Sequence, residues 1–279
     1  MKSLFDTVSF QCSKLVTKKY STSFSLAVYM LSPSIRDAIY SVYGFVRFAD
    51  EIVDSFHDYD KENLINDFEK EYYKAMKLGI SLNPILNSFQ QTVKHYNITD
   101  DLIQAFLKSM KLDLVKSTYN TQTEYEDYIY GSADVVGLMC LKVFVKGNPQ
   151  KYEQLKNEAM RLGSAFQKVN FLRDLKDDNL VLNRTYFPGV DLNSFDEDAK
   201  CSIINEIEED FRIAYQGIVR LPIEAQFGVY TAFVYYKKLL KKLKNTPCHQ
   251  IGTSRIRVSN YTKAGLLAQS FVTYKLKLV

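Results

Sequence analysis

Apolar residues recur at helical spacing along nearly all of this 279-residue chain, and the spacing constrains most where it carries acid. One acidic stretch runs Arg47-Phe48-Ala49-Asp50-Glu51-Ile52-Val53-Asp54. A second runs Asn170-Phe171-Leu172-Arg173-Asp174-Leu175-Lys176-Asp177-Asp178. Side chains four apart stack on one helix face, so Asp50 sits over Asp54, and Asn170, Asp174 and Asp178 make the same ladder. Glu51 and Asp177 fall off the main ladders. Like charges at this spacing weaken a helix by a few tenths of a kcal/mol per pair. Phe45, Val46, Phe48, Ala49, Ile52 and Val53 surround the first cluster, and Val169, Phe171, Leu172 and Leu175 the second. Both stretches are thus more apolar all round than a surface helix should be. Carboxylates inside such helices need partners, because burying unpaired charge is expensive. Hard divalent cations held between oxygen ligands would meet that need. A solvated face is the competing reading for either cluster taken alone.

The same periodicity predicts the rest of the fold. Ser32-Pro33 reads as an N-cap followed by proline at the first helical position. From there Ile35, Ile39, Val42, Val46, Ala49 and Val53 form one apolar stripe. Helices are expected over Lys61 to Leu78, Pro84 to Tyr96, Asp100 to Lys116, Glu124 to Val145 and Tyr152 to Asp178. Glu206 to Val219, Ile223 to Lys244 and Tyr261 to Lys277 complete the set. Glycine is scarce, at 11, and alternating segments with hairpin turns are absent. The expectation is an all-α, single-domain helical bundle over residues 1–279. The longest irregular stretch, Asn179 to Asn193, follows the second acid ladder and reads as a lid or a surface connection.

Composition narrows the partners. Aromatics reach 14%, with 20 Tyr, 18 Phe and no Trp, which suits a Tyr/Phe-packed core or aromatic walls around an apolar or cationic guest. Ten Lys and Arg follow Glu224 without an acidic residue. That tail carries +10, while the rest, with 26 basic and 32 acidic residues, carries −6. The run Lys237-Lys238-Leu239-Leu240-Lys241-Lys242-Leu243-Lys244 is densest. It reads as a solvated helix face, or as a contact for an anionic membrane or substrate. Cys12, Cys140, Cys201 and Cys248 show no metal-ligand spacing. No apolar signal region precedes Asp6. The apolar stretch Val135 to Val145, broken by Lys142, is shorter than the ~20 residues a bilayer needs. A cytoplasmic protein with peripheral membrane contact is expected.

Residue chemistry then selects the metal. A di-iron bundle needs Glu-x-x-His pairs, and His57, His95 and His249 have no Glu three residues before them. Zinc favours Cys and His, and neither clusters. Oxygen-only ligation by aspartates suits Mg2+, or Mn2+ in its place. Mg2+ usually binds through a few carboxylates plus substrate phosphates, so two facing aspartate helices would grip a phosphate-bearing substrate. No Walker loop or GxGxxG appears, and nothing favours a nucleotide or nucleic acid. Gln167 and Asn170 extend the second ladder, and Arg47, three before Asp50, can meet a diphosphate bidentately. A salt bridge to a neighbouring carboxylate is the plainer role for Arg47 or Arg173.

With these residues in place the chain resembles the squalene/phytoene synthases, head-to-head prenyl transferases of the all-α isoprenoid synthase fold, whose helices surround a central cavity. The resemblance spans Tyr20-Ser21-Thr22-Ser23-Phe24-Ser25 to Arg255 and Lys263. It includes Tyr43, Arg47 and Asp50-Glu51-Ile52-Val53-Asp54. Tyr128-Ile129-Tyr130-Gly131-Ser132-Ala133, Val136-Gly137, and Gln167, Asn170, Arg173, Asp174 and Asp178 complete it. It implies that Asp50, Asp54, Asp174 and Asp178, with Asn170 assisting, hold Mg2+ ions on the diphosphates of two prenyl chains. Ser21, Ser23, Arg47, Arg173, Arg255 and Lys263 would bind diphosphate, Phe24 and Gln167 would contact substrate, and Tyr43 and Tyr128 would line the reaction zone. The family pattern usually has Gly-Arg before its Tyr-x-Pro element, and here Asn183-Arg184 precedes Tyr186-Phe187-Pro188. Asn tolerates left-handed backbone, so altered lid detail with retained activity is expected.

The resemblance is strongest to bacterial phytoene synthases, implying geranylgeranyl diphosphate as substrate and no NADPH. The alternative is squalene or dehydrosqualene synthesis from farnesyl diphosphate. A non-catalytic helical assembly factor is a third reading, against which the intact aspartates speak. Oligomeric state is not legible.

Overall fold

Proline at the first helical position starts the helix that carries the first acid ladder, Pro33–Asp54. The computed structural model describes residues 1–180, 184–190, 195–253 and 255–276. Asn183, with 181–182 and 191–193 of the expected lid, lies outside them. In chain order the helices are α1 Lys2–Tyr20, α2 Thr22–Tyr29, α3 Pro33–Asp54, α4 Lys61–Leu78, α5 Pro84–Tyr96, α6 Asp100–Leu112 and α7 Gln122–Ile129. A π-turn over Tyr130–Asp134 leads to α8 Val135–Phe144. Then follow α9 Pro149–Leu180, α10 Glu197–Ile218, α11 Ile223–Lys244, α12 Cys248–Ile251 and α13 Asn260–Lys275. The protein is all-α, and the described residues form no strand beyond an isolated parallel bridge between Thr118 and Thr185.

Several expected boundaries shift. Ser32 occupies the N-cap of α3 but its side chain makes no capping bond; its hydroxyl meets Ser34 Oγ at 3.0 Å instead. The expected single helix from Glu124 to Val145 is interrupted by the π-turn, whose ends both have helical backbone, so apolar periodicity runs through it unmarked. The helix expected to start at Glu206 begins at Glu197, where Asp196 accepts Ala199 N–H at 2.8 Å. Helix α1 carries no strong apolar stripe, because the face it buries is Ser9, Ser13 and Thr17. Ser13 meets Ser88 Oγ at 2.8 Å, and Asn87 donates to Ser9 Oγ at 3.0 Å and to Asp6 at 3.1 Å. Polar complementarity with α5 holds this helix against the bundle.

Helix α3 packs on α1, α5 and α8, and α9 packs on α10, α8 and the π-turn. The core beside α3 is aromatic: Phe45 stacks on Phe89 at 4.0 Å and on Phe68 at 5.3 Å. Glycines bring α8 and α9 together. A Cβ on Gly163 would lie 2.8 Å from Ala133 O, and one on Gly137 would lie 2.9 Å from Ala159 O. No side chain fits either gap, so the two backbones touch and α3 faces α9 across the space beyond. Helices α2 and α11 pack together on the remaining side. The result is a bundle closed around a central cavity.

Candidate active site

Helical spacing aligns Tyr43, Arg47, Asp50 and Asp54 on α3, and Gln167, Asn170, Asp174 and Asp178 on α9. Both stripes turn into one polar chamber of about 330 Å³. An apolar cavity of about 350 Å³ lies directly behind it, walled by α2, α3, α8, α9, α10 and α11. Tyr43, Val46, Ser132, Gln167 and Asn170 line both spaces and form the neck between them.

The two acid ladders feel each other. Burial first, then Asp174 and the Asp54 charge on the opposite helix, raise the Asp178 carboxyl to about 7. Burial and Asp54 raise Asp50 to about 6, against the pull of Arg47 and Arg184. Guanidinium groups hold this charge in place. Arg47 pairs with Asp50 at 2.7 Å and also with Glu51, while its plane lies 4.5 Å over the Tyr20 ring. Arg173 Nε donates to Asp174 Oδ1 at 2.9 Å, and Arg255 reaches the same carboxylate at 2.8 Å. Arg184 meets Asp54 at 2.7 Å.

The donor set is chemically that of a hard cation: five aspartates, Asp113 among them, and the Asn170 amide face one space, with no thiol or imidazole among the chamber's lining residues. Asp50, Asp54 and Asp174 each engage a guanidinium, and no group of three His, Cys, Asp or Glu among the described residues converges as a ready ligand cluster. These residues fit Mg2+ by oxygen chemistry and by their mutual repulsion.

Eleven of the expected site residues line the chamber: Tyr43, Arg47, Asp50, Asp54, Tyr128, Gln167, Asn170, Arg173, Asp174, Asp178 and Arg255. Phe24 lines the apolar cavity and stacks on Tyr43 at 4.9 Å. Ser21 instead caps α2, accepting Phe24 N–H at 3.2 Å, and its hydroxyl is bonded to Tyr43, whose phenol burial raises to about 12. Ser23 and Lys263 are not among the lining residues of either space. Lys263 lies 5.7 Å over the Tyr235 ring. Ser21 has a local competitor, the free N–H groups at a helix start, and that competition wins here.

Sequence reasoning missed Asp113, Tyr186 and Tyr236, and gave Arg184 no role in the site. Tyr186 stacks on Phe171 at 3.9 Å, and Tyr236 donates to Asn170 Oδ1 at 3.4 Å. Arg184 is carried in by backbone pairing, its N–H bonding Asp178 O at 2.8 Å and Thr185 N–H bonding Ser117 O at 2.8 Å. Thus part of the segment after α9 is stitched over the chamber. Asp113, just past α6, has no ladder partner in sequence. Its one signal is a lone carboxylate between Leu112 and Leu114.

The family model described as squalene/phytoene synthase matches residues 17–262. The chain is 25% identical over 260 residues to a phytoene synthase of Arthrospira platensis, covering 85% of this chain and 84% of that protein. It is 28% identical over 204 residues to a 4,4'-diapophytoene synthase of Staphylococcus haemolyticus, covering 72% and 68% respectively. A dehydrosqualene synthase crystallised with a ligand has the same fold, with a TM-score of 0.84 at 20% identity over 97% of this chain and 98% of that one. The chain belongs to the squalene/phytoene synthase family, a family of prenyltransferase-type enzymes.

Proposed function

We propose that this enzyme joins two geranylgeranyl diphosphates head to head, 1'-1, through a cyclopropylcarbinyl diphosphate, giving phytoene for carotenoid biosynthesis. The observation that carries the reading is the neck. A charged chamber opens through Tyr43, Val46, Ser132, Gln167 and Asn170 into a dry apolar cavity, which matches a molecule with a diphosphate head and a hydrocarbon tail.

Asp50, Asp54, Asp174 and Asp178, with Asn170 Oδ1, would hold Mg2+, or Mn2+. When bound, such an ion supplies charge neutralisation that turns diphosphate into a leaving group. Arg47, Arg173 and Arg255 are placed to meet diphosphate oxygens as well as carboxylates. Tyr43, Tyr128, Phe171 and Tyr186 line the chamber, where aromatic rings would stabilise an allylic cation without capturing it. The second chain's double bond attacks that cation and loss of a first proton closes the cyclopropane; a second ionisation and rearrangement follow, and loss of a second proton leaves a conjugated triene. No reductant enters that sequence, so no NADPH is expected. Ser21, Ser23 and Lys263 would reach diphosphate only after local movement.

The second reading is condensation of two farnesyl diphosphates. It draws support from the diapophytoene synthase relative and the dehydrosqualene synthase fold match. Incubation with C15 and C20 diphosphates and Mg2+, with and without NADPH, tests both. A C40 hydrocarbon formed without reductant is expected, and a reductant-dependent C30 product would overturn the phytoene reading.

No helix among the described residues is long and apolar enough to cross a membrane. In the basic run, Lys242 donates to Arg257 O at 2.6 Å and Lys244 pairs with Glu208 at 2.8 Å. Lys238 and Lys241 are the exposed charges best placed for an anionic surface on which the hydrocarbon product is delivered. Neutralising these two should weaken binding to anionic vesicles, and unchanged binding would return the run to a solvated face.

A further inference from the structure

Asp113 lies in the chamber wall beside both acid ladders and belongs to neither. The Tyr128 hydroxyl donates to its Oδ2 at 2.9 Å, and its Oδ1 is buried without a hydrogen bond. The Tyr119 phenol, its titration pushed up by burial, lies near enough for the carboxyl to push it up further. Arg184, the nearest guanidinium, binds the Asp113 backbone carbonyl at 3.0 Å and gives its other arm to Asp54. The carboxyl is therefore held against a phenol rather than neutralised by an arginine, unlike Asp50, Asp54 and Asp174. Tyr128 itself is locked: its ring lies 4.5 Å from Tyr119, 5.3 Å from Tyr186 and 6.0 Å from Phe171.

We propose that Asp113 is a positioning residue that takes up, through Tyr128, the proton lost when the triene forms. This rests on the head-to-head reading above. A C–H bond beside the cationic carbon breaks and its electron pair closes the carbon–carbon double bond. The proton goes to the Tyr128 oxygen, and the phenol's own proton moves along the 2.9 Å bond to Asp113 Oδ2. One carbocation and one carboxylate become one alkene and one carboxylic acid. A phenol between the two keeps the carboxylate, a better nucleophile, from forming an ester with the cation. The surroundings suit a group that must hold a proton for part of a cycle. Burial raises the carboxyl to about 7, with Asp54 and Asp50 adding to the rise and Arg184 and the Tyr128 bond opposing it. Tyr119 and Tyr186 are the remaining titratable side chains packed against the pair.

The test uses the whole chain with prenyl diphosphates and Mg2+, measuring pyrophosphate release separately from hydrocarbon. Asp113→Asn keeps an acceptor for Tyr128 and loses the ability to store a proton. Pyrophosphate release near the wild-type rate is expected, with hydrocarbon down about 100-fold and water-quenched alcohols in its place. The acid limb of the pH profile for hydrocarbon formation should disappear. The isotope effect on substrate deuterated at the departing position should grow. Tyr128→Phe, which breaks the same relay, should also lose hydrocarbon, and Asp113→Glu should restore part of the hydrocarbon even if the Asn variant folds poorly. Equal loss of release and hydrocarbon, restored by more Mg2+, would overturn the proposal in favour of a metal-ligand role. An unchanged product partition, or a loss that only tracks a lower melting temperature, would overturn it too. Wild-type enzyme that makes neither C30 nor C40 hydrocarbon removes the head-to-head reading itself, a result distinguishable from failure at Asp113 alone.

Discussion

The polar chamber and the apolar cavity share five wall residues and are built on opposite terms. In the chamber, carboxylates are crowded until burial and mutual repulsion lift Asp50 to about 6 and Asp178 to about 7, while arginines from four separate places in the chain pair with Asp50, Asp54 and Asp174. In the cavity, small residues such as Ala133, Gly137 and Gly163 let helices touch, and Cys140 is so dry that burial raises its thiol to about 12. Charge strain in one space and packing in the other are two ways of reserving room for a ligand. On the proposed reading, head-group chemistry and tail length then fall to largely separate residues outside the shared neck, so each should change without the other.

The largest expected effect breaks the chamber. Asp50→Ala or Asp174→Ala should lower turnover on the order of a thousandfold while circular dichroism still reports the native helix content. Near-normal rates in either purified variant would remove the metal roles proposed for these residues. Next comes Arg184→Ala, which leaves the buried end of the chamber without its counter-charge. Unfolding should show a loss of about 3 kcal/mol, since Arg184 is 7% exposed and holds Asp54 and the Asp113 backbone together.

Cys140→Phe probes the cavity instead. Its ring should reduce kcat/KM for the C20 substrate about tenfold more than for the C15 substrate. Equal losses on both would mean that this wall does not sense tail length. The smallest effect is on stability against pH. Asp50, Asp113 and Asp178 have native values raised to about 6 to about 7 from an ordinary 3.8. Between those limits the native state binds protons that the unfolded chain has lost. Stability should therefore fall as pH rises through 6 to 7. Melting temperature should drop by a few degrees between pH 5 and pH 8, with a shallower slope in Asp178→Asn. A flat profile in the wild type would mean the ladders repel less than their placement implies.

Much of the fold was legible because burial and periodicity coincide in most helices. Lys61–Leu78, Pro84–Tyr96 and Ile223–Lys244 lie where the apolar spacing puts them. Helix α1 was not, since its buried face is hydroxylic and finds its partners 75 or more residues away, at Asn87 and Ser88. The π-turn was not, because one tighter or looser turn changes no residue's hydropathy. It nevertheless holds Ser132 at the neck, with Asp134 anchored by Ser164 at 2.7 Å.

The sequence by itself determined the two acid ladders, their helical faces and their oxygen-donor chemistry, because those depend on spacing within single helices. Tertiary structure alone decided which charges meet. Arg184 and Arg255 reach Asp54 and Asp174 from 130 and 81 residues away, Ser21 gives its hydroxyl to a helix start, and Asp113 receives Tyr128. Such pairings follow from how helices pack, and packing is a property of all the faces together rather than of any one stretch.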